Sequence, residues 1–219
     1  MTTKPSSKIL VGITQRIDCV AGRAELRDAL DQKLVQWLLY AGYLSVAIPN
    51  ILFDMKKSGE IPKEQPLGGW LETVQPGALI LSGGNDIGEY PERDATERYL
   101  LSWAETNRVP VLGICRGLQM MAVWADVNLL RIEGHVRTRH QLVVSGQPSE
   151  WPTSVNSYHN WGLSSCPQGF EIAAQAEDGA IEAIRHIVLP WEGWMWHPER
   201  EEPFSPQDIK RLRRLFGGQ

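Results

Sequence analysis

Long apolar runs are missing from this 219-residue chain. None approaches the roughly 20 residues that a membrane-crossing helix needs, so no membrane association is expected. The opening stretch, MTTKPSSK, has no apolar core of the kind a secretory signal carries. Residues 1–7 read instead as a short disordered lead-in. A basic excess is also absent: the net charge is −4, which argues against nucleic acid as a partner. Cysteine is scarce. Cys19, Cys115 and Cys166 are odd in number and form no C-x-x-C pair, so neither a disulfide framework nor a zinc site is expected, and a reducing cytoplasm fits. G-x-G-x-x-G does not occur, which leaves a dinucleotide loop poorly supported. No internal repeat and no low-complexity segment is visible.

What is there suffices for a full core, since 42% of the residues are apolar. The length favours a single domain over residues 1–219. KILVGIT (8–14) reads as a buried strand, AELRDALDQKLVQWLLYAG (24–42) as a helix capped by Gly42, and YLSVAIP (43–49) as a strand. GALILSGG (77–84) is a strand ending in a glycine pair, residues 93–107 a helix, VPVLGIC (109–115) a strand, and Arg116–Ala125 a helix. This alternation predicts an α/β fold with a mostly parallel central sheet flanked by helices. The second half is richer in strands: QLVVSG, FEIAAQAED, IEAIRHIVLP and EGWMWH predict antiparallel additions. SPQDIKRLRRLF closes the chain as a helix with Ser205 at its cap and Pro206 at its first position. Residues 55–66 and 146–154 read as surface loops. The nine tryptophans are read as packing.

Gly113-Ile114-Cys115-Arg116-Gly117 has the spacing of a nucleophile elbow. A tight strand-to-helix turn strains the nucleophile's backbone and needs small residues two positions away on either side. The helix that follows directs its N-terminus at the sulfur and favours the thiolate. The same five residues also describe a buried structural cysteine at an ordinary turn. MWHPER supplies a base and an orienting acid, because His197 and Glu199 point the same way along an extended chain; a surface histidine beside a glutamate has this pattern too. Gly83 and Gly84 permit close backbone approach, so an N–H there can serve an oxyanion. Cys19 and Cys166 lack an elbow and a base and read as structural.

Taken in order, VGITQR, LILSGGND, VLGICRGLQMM, EGHVRTRH, VNSYHNWGL and EGWMWHPER resemble the class I glutamine amidotransferase family, and within it the stand-alone γ-glutamyl hydrolases. The resemblance spans nearly the whole chain. It implies a flavodoxin-like α/β fold and a Cys115–His197–Glu199 triad. It also implies oxyanion donors at the backbone of Gly84 and Arg116, and Gln119 near the γ-glutamyl group. Gly83 and Asn85 fall in the same glycine loop and are carried as substrate contacts.

Departures from the family pattern narrow the expectation. VNSYHNW stands where NSxHHQ is common, so Tyr158 and Asn160 replace usual residues, and ADVNLLRIEGHV lacks the usual GGxLxQD. With ITQR, ELRDALDQ, SGGND and MWHPER, these resemble the branch that hydrolyses γ-glutamyl-CDP-amidate in bacterial capsule phosphoramidate synthesis. His135, Arg137 and Arg139 would suit a phosphate-bearing leaving group, although a solvated basic edge gives the same pattern. Arg16 follows the first strand, where α/β ligands sit, and can pair with a glutamyl carboxylate. Asn156, Ser157 and Tyr158 can bind the α-carboxylate or α-amine. The implied reaction is cysteine-dependent hydrolysis of a small γ-glutamyl amide, without metal or organic cofactor. A homodimer is compatible with this reading. The alternative is a glutaminase subunit that supplies ammonia to a partner synthetase.

Overall fold

In a computed structural model, residues 9–53 and 65–217 are described. The expected lead-in, and all but the last residues of the 55–66 loop, lie outside them. Strand β1 (Leu10–Thr14) enters the centre of the molecule, with Val11 and Ile13 fully buried. A hairpin of β2 (Arg16–Cys19) and β3 (Leu26–Ala29) follows. Here the sequence reading needs correction, because residues 24–30 were expected to be helical. Helix α1 (Gln32–Ala41) begins only after Asp31, whose carboxylate accepts from the Lys33 N–H at 2.9 Å. That cap outranks the helical spacing of Leu26 and Leu30: Leu26 is exposed on the hairpin, and only Leu34, Trp37, Leu38 and Ala41 face the core. Gly42 ends the helix as expected, at φ 99°.

Strand β4 (Leu44–Ile48) returns beside β1. Helix α2 (Pro66–Val74), which the sequence reading did not find, starts on a proline and buries Leu67 and Leu71. Strand β5 (Ala78–Leu81), helix α3 (Pro91–Asn107), strand β6 (Val111–Ile114) and helix α4 (Arg116–Trp124) match the expected alternation.

Short strands dominate the second half. They are β7 (Leu129–Arg131), β8 (Val136–Gln141), β9 (Val143–Val144), β10 (Ser154–Tyr158), β11 (Trp161–Leu163), β12 (Phe170–Gln175), β13 (Ile181–His186) and β14 (Trp191–Trp194). Helix α5 (Pro206–Phe216) closes the fold, with Ser205 Oγ accepting from the Asp208 N–H at 3.3 Å.

The main sheet has the order β4-β1-β5-β6-β14-β13-β12-β9. Its first five strands run parallel, and the last three add antiparallel. The last strand in the chain, β14, inserts next to β6, in register Gly193↔Gly113 and Trp194↔Ile114. EGWMWH is therefore not an antiparallel addition; it completes the parallel core, which explains why all four β14 residues are buried. Two-stranded ribbons, β8–β10 and β7–β11, lie outside this sheet. Residues 148–150 form a short helical turn, and the neighbouring Trp151 is buried beneath the Arg211 guanidinium, 3.3 Å from its ring centre. Trp151 and Pro152 thus anchor the 146–154 segment, which is otherwise the surface loop expected, with residues 146, 147, 149 and 153 exposed. Trp194 and Trp196 stack with ring centres 5.3 Å apart, so these tryptophans are packing. No described helix is long and apolar enough to cross a membrane.

Candidate active site

The carboxyl ends of β5, β6 and β14 lie side by side, and each delivers one part of the site. Cys115 leaves β6 at φ 51°, ψ −102° and starts α4. That is an unfavourable backbone for an L-residue, the kind kept where surrounding structure enforces it. The glycines two positions away show what enforces it. A Cβ on Gly113 would stand 2.6 Å from the Gly117 carbonyl carbon, and one on Gly117 would stand 2.1 Å from the Leu81 carbonyl oxygen. The helix can turn this sharply over the sheet only if both are glycine.

β14 runs on to His197 and Glu199. Both are buried, and His197 Nδ1 donates to Glu199 Oε1 at 2.7 Å. Nε2 is left as the ring nitrogen available to the Cys115 side chain, with which His197 also hydrogen bonds. Burial alone would pull the imidazole pKa down. The charges of Cys115 and Glu199, and hydrogen bonds to both, outweigh it and push the value up to about 10. A cysteine–histidine pair with an oriented base can carry out nucleophilic chemistry on a carbonyl.

β5 ends in Ser82-Gly83-Gly84. A Cβ on Gly83 would come within 2.7 Å of His197 Cε1, so the imidazole needs a glycine there. Gly84 sits at φ 125° against Arg16 and Arg93. The loop is held from below by Arg93, which is fully buried and donates to Ser82 O at 2.8 Å and Gly83 O at 3.0 Å. Burial lowers the Arg93 pKa to about 10. Glu97 lies between Arg93 and Arg116 and accepts from Thr14 Oγ1 at 2.8 Å. Burial opposes its charge, yet Arg116 and Arg93 hold its carboxyl below the usual range. The Arg116 side chain is spent on Glu97 and Asp94. Arg93 and Glu97 went unnoticed in the sequence, where only their spacing of four within α3 marks them.

The fold separates the remaining nominated residues. Arg16 lines a cleft with Ser82, Gly83, Gly84, His197 and Glu199. Arg200, not nominated from sequence, lines it too and lies 4.6 Å from the Tyr158 ring centre. Tyr158 meets the His197 ring edge-on at 5.9 Å. Gln119 is buried below the site and donates to Trp161 O at 3.0 Å. Asn85 is committed to the β2 backbone: its amide accepts from the Ile17 N–H and donates to Ile17 O. Asn156 grips the His197 backbone. Ser157 is fully buried and donates to His135 O at 2.7 Å.

The basic segment also divides. Arg137 is exposed at φ 57°, and Arg139 is paired with Glu201 at 3.0 Å. His135 turns inward to Asp178 and Glu182. His135, Arg137 and Arg139 therefore do not line one anion site: alternation alone would put all three on one face, but the positive φ at Arg137 and the register shift of β8 against β10 break it and send the side chains to different surroundings.

A strained cysteine over the carboxyl ends of a parallel sheet, with a buried histidine–glutamate pair from a neighbouring strand, defines a glutamine amidotransferase-type fold. A Thermotoga maritima glutamine amidotransferase structure superposes with a TM-score of 0.61 at 14% identity, covering 97% of this chain and 84% of that one. The peptidase C26 family model matches residues 67–199, and the chain belongs to this family. It is a hydrolase acting on carbon–nitrogen bonds. A γ-glutamyl-CDP-amidate hydrolase from Campylobacter jejuni is 33% identical over 95% of this chain and 98% of its own length. A γ-glutamyl-γ-aminobutyrate hydrolase from Escherichia coli O157:H7 is 26% identical over 95% and 91%.

Proposed function

We propose that the protein hydrolyses γ-glutamyl amides through Cys115. The observation that carries this is the Cys115–His197–Glu199 arrangement: a strained, buried sulfur facing an imidazole that Glu199 holds at 2.7 Å. The thiolate attacks the γ-carbonyl carbon. Charge moves to the carbonyl oxygen, where the backbone N–H groups of Gly84 and Arg116 accept the role of oxyanion donors. The carbon–nitrogen bond breaks as His197 gives its proton to the leaving nitrogen. His197 then takes a proton from water, which attacks the thioester and releases glutamate, and the sulfur returns as thiolate.

The finer reading is a γ-glutamyl-CDP-amidate substrate, with a cytoplasmic setting in capsule phosphoramidate synthesis. Near-complete mutual coverage with the Campylobacter jejuni relative supports it. So does Arg200, a guanidinium at the cleft that suits carboxylate and phosphate, beside Arg16, which lines the same cleft with its Nε held by Asp18 at 2.7 Å. The test is a panel of γ-glutamyl compounds, nucleotide phosphoramidates included, assayed for glutamate release. Preferred release from the nucleotide phosphoramidate supports the finer reading. Preferred release from simple amides overturns it and leaves the amidase. Turnover of glutamine alone, and only with cell extract added, points to the partner-synthetase alternative.

A further inference from the structure

Away from Cys115, three buried side chains converge from distant parts of the chain. They are His135 just before β8, His159 between β10 and β11, and Glu182 in β13. Their exposures are 1%, 3% and 0%. Neither Glu182 carboxylate oxygen has a hydrogen-bond partner among the described residues, and neither has His135 Nδ1 or His159 Nε2. A buried carboxylate left without partners is costly, so this arrangement calls for a positive charge.

The opposite nitrogens fix the tautomers. His159 Nδ1 lies 3.1 Å from Trp161 O. A carbonyl only accepts, so Nδ1 carries the proton and Nε2 presents a lone pair. His135 Nε2 lies 2.8 Å from Asp178 Oδ2 and donates to it, so in the neutral imidazole Nδ1 presents the second lone pair. This carboxylate- or carbonyl-bound histidine is the usual orientation of a metal ligand.

The distances agree. His135 Nδ1 and His159 Nε2 stand 3.4 Å and 3.5 Å from Glu182 Oε1. That is too long for a good hydrogen bond. It matches the edge of a tetrahedron with metal–ligand bonds of about 2.1 Å, which is about 3.4 Å. All three ligand atoms lie within 4.8 Å of one another. We infer that His135, His159 and Glu182 form a binding site for a divalent transition metal, of which zinc best suits the imidazole and carboxylate donors.

The site is structural. It ties one end of the antiparallel β8–β10 ribbon, where the His159 N–H donates to His135 O at 3.0 Å, to β13 of the main sheet, and β10 carries Asn156, which grips His197. The scarcity of cysteine, which argued against a zinc site, does not bear on one built from histidine and glutamate.

The test uses the full chain in a Cys115→Ala background, so that metal bound at the thiol does not confuse the count. Protein purified from zinc-supplemented medium is assayed for metal by mass spectrometry. The apo form, prepared with chelator, is titrated with Co(II). One zinc per chain, a saturable Co(II) d–d spectrum displaced by zinc, and a melting temperature several degrees lower after chelation are expected. Glu182→Gln should lose at least ten-fold in zinc affinity and its melting temperature should not respond to chelator. Background zinc with no saturable Co(II) spectrum overturns the inference, and this readout stands even if Glu182→Gln does not fold. A folded Glu182→Gln that binds as tightly as its parent also overturns it.

Discussion

Asn156 holds His197 by both faces of its backbone: its amide nitrogen donates to His197 O at 2.8 Å, and its amide oxygen accepts from His197 N at 3.0 Å. The side chain thus fixes where the imidazole stands without touching the ring. Asn156→Ala removes both hydrogen bonds to the His197 backbone, about 1 kcal/mol each, together with a third from its amide nitrogen to Glu201 Oε1 at 2.7 Å. The expected result is a fall in kcat of roughly 30-fold with KM little changed. Steady-state rates on a γ-glutamyl anilide check this, and a kcat within two-fold of wild type would show that β14 positions the ring unaided.

Cys115→Ala removes the sulfur and little packing volume. Turnover should drop by roughly 10³-fold or more while the circular dichroism spectrum is kept. A glutamine-like electrophile should label wild-type protein at Cys115. Labelling confined to Cys19 or Cys166 would end the nucleophile assignment.

Gly117→Ala tests the elbow itself. Its new Cβ would meet the Leu81 carbonyl oxygen at 2.1 Å, a backbone atom with little room to yield. A cost of about 3 kcal/mol or more follows, equivalent to a melting temperature lower by about 10 °C for a chain of this size. A thermal melt within a degree or two of wild type would contradict the packing described here.

The His197 pKa of about 10 exceeds the ordinary imidazole value of 6.5. A raised folded-state pKa contributes stability that is complete below the ordinary value and is lost as pH rises through about 10. Cys115→Ala takes away a charge and a hydrogen bond that raise it, so the His197 midpoint should fall. Histidine NMR titration of the two proteins reads this directly. An unchanged midpoint would assign the shift to Glu199 alone.

Arg200→Ala separates anion recognition from chemistry. A charge-assisted hydrogen bond contributes about 1.5–3 kcal/mol. Loss of kcat/KM by roughly ten- to hundred-fold is therefore expected on a phosphate-bearing γ-glutamyl substrate, with little change on the anilide. Arg139→Ala should be nearly silent on both, since its guanidinium is already held by Glu201. Equal losses from Arg200→Ala on both substrates would make Arg200 a structural partner of Tyr158 and of Glu199, whose Oε1 lies 3.8 Å from its Nε.

The sequence by itself determined the parts of this protein that depend on local geometry. G-x-C-x-G is legible because the clash at Gly113 and Gly117 is a property of the turn and its neighbouring strand end. His197 and Glu199 are legible as a pair from their spacing of two, although the chain between them is not extended as that spacing suggested: residues 198–200 form a short helical turn that brings Glu199 back to the imidazole. Caps at Ser205 and Gly42 act within one helical turn. Local signals also conflict, as at Leu26, where helical spacing gave way to the Asp31 cap and a hairpin. Tertiary structure alone decided what depends on chain return. The insertion of β14 beside β6 made EGWMWH a parallel core strand. Register between β8 and β10 sent His135, Arg137 and Arg139 to three different environments. Asn156, read as a substrate contact, became the clamp on His197. The meeting of His135, His159 and Glu182 is likewise invisible in the sequence, because the strands that carry them are brought together by pairing and packing over long separations.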